Sequence, residues 1–213
     1  MKNNGIHIFW LDTSDFTQEE QLLHFSAPFH LKRKPLNGLN FRQKKVSIFS
    51  KHLLAYGLRY IQEKLPESIS FRTNGKPYFE DSPIHFNISH SNNLVVCGVA
   101  YQNFGIDLQQ IIPFKKGIEG VFLDTYEKDK INSEDFLKVW SKKEAAYKGF
   151  GFELGAKLTD FKYECTDLML YQNHKVKLIE QNIIQGYYCF LAVDTKSEHQ
   201  VNISNITINQ LNS

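Results

Sequence analysis

The sequence is poor in cysteine. Its 213 residues contain three, Cys97, Cys165 and Cys189, all far apart. There is no CxxC pair and no zinc-ligand spacing, which excludes a zinc ribbon and a dithiol redox motif. An odd, scattered set also argues against a disulfide framework, so a reducing compartment is expected. Cys97 lies in the apolar run "LVVCGVA" and is expected to behave as a small buried hydrophobe. Charge of one sign is also scarce in net terms. The 25 Lys and Arg against 23 Asp and Glu leave +2, which does not point to a nucleic-acid partner. No run approaches the roughly 18 apolar residues of a membrane span, and the opening "MKNNGIHIFW" has no apolar signal core. A cytoplasmic protein with no membrane partner is therefore expected. Internal repeats and low-complexity linkers are absent too.

What is present reads as an ordinary globular chain. Hydrophobic residues make up 42% and charged residues 23%. The 17 Phe and 10 Tyr predict extensive buried aromatic packing. Acidic residues are missing locally, however. Between Gln21 and Gln62 there is no Asp or Glu, while Lys32, Arg33, Lys34, Arg42, Lys44, Lys45, Lys51 and Arg59 all fall there. Two readings stand: a solvated helical face, or a site for a polyanionic small ligand.

The periodicity divides the chain into elements. "IHIFWLD" (6–12) predicts a strand, and a short polar helix is expected over 17–25. Residues 41–65 form the clearest helix, because Val46, Phe49, Leu53, Tyr56 and Tyr60 recur at three- and four-residue steps. "SISFRT" predicts a short strand, followed by turn signals in "NGKPYF". In "IHFNISHS", His85, Asn87, Ser89 and Ser91 alternate onto one face of a strand. "NLVVCGVA" and "FGIDLQQ" continue as strands. A mixed segment, 113–132, leads to a second long helix over 133–150, capped by Asn132 or Ser133 and closed by Gly149 or Gly151. Strands are expected at "FKYEC", "VKLIE", "YYCFLAV" and "VNISNITI", with Asn173 and His174 turning the first hairpin. The pattern predicts an α+β protein of two lobes, residues 1–104 and 105–213, each with a long helix packed on a small, mostly antiparallel sheet.

Two places carry candidate chemistry. On the second helix Phe136, Trp140, Glu144 and Lys148 are successive four-residue steps and share a face. An exposed Glu–Lys pair at this spacing is ordinary. Here it continues an aromatic stripe, which predicts partial burial, where a lone charge needs a partner or a metal. In "FGIDLQQ", Asp107 and Gln109 face one side of a strand, and Ile106 and Leu108 the other. Asp is disfavoured in strands. It either accepts backbone hydrogen bonds from a turn or serves as a ligand for a hard cation, with Glu144 as the second carboxylate. Mg²⁺ commonly takes one or two protein carboxylates, waters and substrate phosphate oxygens. "ISHS" adds Ser89 and His90, and "GKP" adds Lys76 and Pro77.

"GKPYF", "FNISHS", "FGIDLQQ" and "VWSKKEAAYKGFG", in this order and spacing, resemble the 4′-phosphopantetheinyl transferases, specifically the two-lobed Sfp-type class. That family pairs a Gly-x-Asp strand, here Gly105 to Asp107, with a Trp-Ser-x-Lys-Glu-x-x-x-Lys helix. The helix residues are Trp140, Ser141, Lys143, Glu144 and Lys148 in this sequence. The resemblance covers residues 40–160 well and the C-terminal strands loosely. It implies two pseudo-twofold-related α+β lobes with the active site at their junction, and a monomer. The implied reaction moves the 4′-phosphopantetheine arm of coenzyme A to a serine of an apo acyl or peptidyl carrier protein. Holo-carrier protein and adenosine 3′,5′-bisphosphate are the products. By the same resemblance Asp107 and Glu144 hold Mg²⁺, with Mn²⁺ as an alternative occupant, Glu144 takes the serine proton, and Lys148 neutralises phosphate charge. Lys51, Lys76, Pro77, Ser89, His90 and Lys148 would contact coenzyme A. Many Sfp-type members carry a second acid two positions after the strand aspartate. This chain has Gln109, implying an amide or a water at that metal position. Two alternatives are a metal-dependent phosphodiesterase or nuclease using the same acids, and a non-catalytic carrier-binding module.

Overall fold

The computed structural model describes residues 5–25, 28–31, 38–72, 75–113, 117–151, 155–196 and 200–211. In chain order the strands and helices are β1 (Ile6–Asp12), β2 (His30–Leu31), α1 (Phe41–Tyr60), β3 (Ser68–Phe71), β4 (Pro77–Tyr78), β5 (His85–Ser91), β6 (Leu94–Ala100) and β7 (Phe104–Gln110). They continue with α2 (Thr125–Lys130), α3 (Phe136–Ala146), β8 (Lys162–Cys165), β9 (Leu168–Tyr171), β10 (His174–Glu180), β11 (Tyr187–Asp194), β12 (Val201–Asn205) and α4 (Ile208–Leu211). The architecture is α+β. Two compact units are formed: Met1–Gln102 with His199–Ser213, and Asn103–Glu198.

In the first unit, β1 lies between β12, which pairs with it in parallel, and β6, which pairs antiparallel; β5 completes the sheet. The apolar stripe of α1 packs on this sheet. Phe49, Leu53, Leu54 and Leu58 are buried there with Phe9, Val95 and Val99. Fully burying each such side chain contributes about 1.5–3 kcal/mol. Asn40 caps α1 by accepting from the Gln43 N–H, and the Gln43 side chain accepts from the Asn40 N–H. The helix stops at Tyr60, five residues short of the sequence-based end. Gln62 adopts a left-handed conformation, φ 59°, which no α-helix can continue through. The expected helix at 17–25 is a 3₁₀ turn, Glu19–His24.

Residues after His199 depart from the predicted lobe boundary. β12 pairs with β1, and Ile206 and Leu211 enter the core beside α1, so the last strand belongs with the N-terminal part of the chain. Its pairing partner lies almost 200 residues upstream, and no local pattern encodes such a partner.

The second unit is built on a five-stranded sheet of order β7-β11-β10-β9-β8, with antiparallel neighbours throughout. α3 packs against β7 and β11. The predicted helix over 133–150 is three pieces: a 3₁₀ turn, Ser133–Asp135, then α3, then a single π turn, Tyr147–Gly151. Asn132 caps the leading turn through the Glu134 N–H. Two elements escape the sequence reading. β9 is one; its short "LMLY" run lacks strong alternation. α2 is the other, a six-residue helix within the mixed segment, capped reciprocally by Asp124 and Glu127. The β9–β10 hairpin turns at Gln172 and Asn173, with Gln172 at φ 51°, one residue earlier than expected.

Candidate active site

The site begins with a contact between two glycines. A Cβ on Gly105 would fall on the Ala145 carbonyl oxygen and lie 2.5 Å from the Gly149 nitrogen. A Cβ on Gly149 would lie 2.7 Å from the Gly105 nitrogen. The start of β7 and the end of α3 therefore meet backbone to backbone, and only glycine fits on each side. This corrects the expected helix-capping role of Gly149 and Gly151. Neither has a positive φ. Gly149 lies inside the π turn and serves close approach.

That contact brings Asp107 under the last turns of α3. Asp107 is 5% exposed. Its Oδ2 accepts from Ser141 Oγ at 2.8 Å, and its Oδ1 accepts from Lys148 Nζ at 2.6 Å. Glu144 lies within electrostatic reach of both Asp107 and Lys148. Burial raises its carboxyl pKa; Lys148 pulls it down and the Asp107 charge pushes it up. Cys189, on the neighbouring strand opposite Leu108, has its thiol pKa raised by burial and by Asp107, and so stays neutral. The result is a half-enclosed cluster of two carboxylates and one ammonium.

The predicted Glu144–Lys148 stripe is only part of this arrangement. Lys148 reaches across to a strand residue 41 positions earlier. Helical spacing cannot announce such a partner. Ser141 carried a signal as part of "WSKKE", but its bond to Asp107 is visible only in three dimensions. Lys143 is fully buried, and its ammonium donates to both Glu127 oxygens at 2.8 and 2.6 Å. Burial lowers its pKa, and Glu127 opposes that shift. This pair ties α2 to α3 beside Glu144.

No family model matches the chain. The chain is 30% identical over 159 residues to 4′-phosphopantetheinyl transferase gsp of Aneurinibacillus migulanus, covering 68% of this chain and 67% of that protein. It is 33% identical over 123 residues to a 4′-phosphopantetheinyl transferase of Bacillus subtilis, 53% of this chain and 52% of the relative. With Sfp of Bacillus subtilis (strain 168) it shares 35% over 111 residues, 48% of this chain and half of that one. The chain belongs to the 4′-phosphopantetheinyl transferase family. Its α+β architecture and the Gly105–Asp107 and Trp140–Lys148 motifs agree with that membership.

The residues that the sequence resemblance assigns to coenzyme A, other than Lys148, lie in the first unit. Lys51 is 7% exposed on α1, and burial lowers its pKa. Among the described residues it makes no hydrogen bond or ion pair. Ser89 is buried and His90 exposed on β5. Lys76 and Pro77 lie where the turn after β3 enters β4, with the Arg72 N–H donating to the Lys76 carbonyl. Lys45, by contrast, is taken up internally. Its ammonium donates to the Thr13 and Phe16 carbonyls at 3.1 Å and to Asn93 Oδ1 at 3.2 Å. One cation of the acid-free segment thus holds the fold. Arg42 is exposed, and Lys32, Arg33 and Lys34 lie outside the described residues.

The residues fit a hard divalent cation. No group of three or more His, Cys, Asp or Glu side chains assembles among the described residues, so a closed protein cage is not on offer there. Two carboxylates within electrostatic reach of each other, Asp107 and Glu144, match instead the pattern in which one or two protein acids bind the cation and waters and substrate oxygens complete the shell. The Gln109 amide nitrogen donates to the Gln110 carbonyl at 3.1 Å, and Gln109 is half-buried at the same sheet end.

Proposed function

We propose that the chain transfers the 4′-phosphopantetheine arm of coenzyme A to a serine hydroxyl of an apo acyl or peptidyl carrier protein. The observation that carries this reading is the cluster of Asp107, Glu144 and Lys148, built by motifs distant in sequence but adjacent in the fold. The serine oxygen attacks the phosphorus next to the pantetheine arm. The bond from that phosphorus to the bridging pyrophosphate oxygen breaks, and adenosine 3′,5′-bisphosphate leaves. Glu144, directly or through a water, accepts the serine proton, and burial raises its affinity for protons above that of an exposed carboxylate. Lys148 stabilises the charge that grows on the phosphate oxygens as the bond breaks.

Asp107 and Glu144 would hold Mg²⁺ or Mn²⁺, with Gln109 contributing its carbonyl oxygen or a water. The cation supplies charge neutralisation at the pyrophosphate. Lys51, Lys76, Pro77, Ser89 and His90 are assigned to coenzyme A. A buried ammonium with no described partner, as at Lys51, is the chemistry expected of an anion contact. Free cysteines at 97, 165 and 189 agree with a cytoplasmic site of action.

The test is mass spectrometry of apo carrier proteins incubated with this protein, coenzyme A and Mg²⁺. A phosphopantetheine mass gain on the serine is expected. No gain across acyl and peptidyl carriers overturns the reading.

A further inference from the structure

Two residues of β7 and the residue just before it make three separate contacts with the end of α3 and the turn that follows it. Asp107 accepts from Ser141 and Lys148. Gly105, two residues earlier, lies against the backbone of Ala145 and Gly149. Asn103, two residues earlier again, donates its Nδ2–H to the Gly149 carbonyl at 2.7 Å. Gly105 and Asp107, two apart in β7, share one side of the strand, and Asn103 immediately precedes it. Asn103 belongs to none of the motifs identified above.

The π turn makes this contact consequential. Its wider backbone ring departs from the regular α-helical hydrogen-bond ladder, and such turns are often found at functional sites. Lys148 and Gly149 are neighbours within it. The carbonyl that Asn103 holds is thus one residue beyond the α-carbon of Lys148. Fixing that carbonyl fixes the stem from which the ammonium reaches Asp107. Lys148 is the exposed partner of the pair: its side chain is 21% exposed against 7% for Asp107, so it is the partner with freedom to lose.

We propose that Asn103 is a positioning residue, acting through the Gly149 carbonyl to hold Lys148 against Asp107. The catalytic half of this inference rests on the transferase reading; the holding contact itself does not. The test uses Asn103→Asp, which keeps the shape and removes the N–H donor, and Asn103→Ala. Hydrogen exchange of the 147–151 amides is expected to quicken about tenfold in both, the worth of one hydrogen bond, with exchange elsewhere unchanged. In the carrier assay kcat is expected to fall about tenfold while KM for coenzyme A stays put. In a Lys148→Met background the Asn103→Asp loss should disappear, because the two residues act as one unit. Unchanged exchange over 147–151 in both variants overturns the proposal. So does a kcat loss that persists in full without Lys148. If the wild-type protein modifies no carrier, the transferase reading fails, and the exchange measurement still decides whether Asn103 holds the turn.

Discussion

At Glu144, burial and a neighbouring carboxylate both favour the protonated form, and only Lys148 opposes them. In the proposed role of general base, a carboxylate placed this way is sensitive to small changes. Glu144→Gln keeps the shape and removes the proton acceptor, and transfer should fall about 10²–10⁴-fold, the usual contribution of a general base. Mass gain of an apo carrier over time measures it, and coenzyme A binding followed by calorimetry should persist. At Gln109 the question is ligation. Gln109→Glu would add a third carboxylate and should lower the Mg²⁺ concentration giving half-maximal transfer. Gln109→Ala should raise it. If Gln109→Ala follows the wild-type metal titration, Gln109 has no ligand role.

Among the elements, the junction of β7 with α3 is the least tolerant. Gly105→Ala places a methyl group on the Ala145 carbonyl, and backbone cannot give way as a flexible side chain does. A cost of about 3 kcal/mol, the upper end of overpacking, is expected in denaturant unfolding of the protein. The link between α2 and α3 should be as sensitive. Lys143→Met would leave Glu127 buried with no cation, and removing one partner of a buried pair costs about 3–5 kcal/mol. Both measurements read the unfolding midpoint, and a shift under 1 kcal/mol in either would contradict the packing described above.

For the molecule as a whole, acid and the C-terminal segment are the expected points of failure. His7 is 1% exposed in the first unit, its ring beside Tyr60, and neither ring nitrogen has a hydrogen-bond partner among the described residues. Burial lowers its pKa. The folded state therefore binds a proton less readily than the unfolded chain. The stability contributed by neutral His7 is complete above about pH 6.5, the usual histidine value, and is lost as pH falls below it towards the lower folded-state pKa. Unfolding midpoints of wild type and His7→Leu across pH 5–8 should diverge in slope over this window. Removing residues 199–213 should expose one edge of β1 and empty the places of Ile206 and Leu211 in the core. Loss of cooperative unfolding in the first unit is the expected result.

Much of this was legible in the chain. The apolar face of α1, the strand runs of β5 to β7 and the Gly-x-Asp and Trp-Ser-x-Lys-Glu-x-x-x-Lys spacings are all local, because helix and strand periods act over a few residues. Those spacings carry the resemblance by which Asp107, Glu144 and Lys148 are proposed to serve one chemistry. Four matters lay beyond local reach. Gly149 looked like a helix cap but is a point of backbone contact. Lys45 looked like one more surface cation but is an internal donor. The last strand looked like part of the second lobe but pairs with the first strand. Lys148 looked like the partner of Glu144, four residues away, yet its 2.6 Å bond is to Asp107. In each case the deciding neighbour is distant in sequence. Contacts of that kind are set by which surfaces the helices and strands of a unit bury together, and only the tertiary structure decides them.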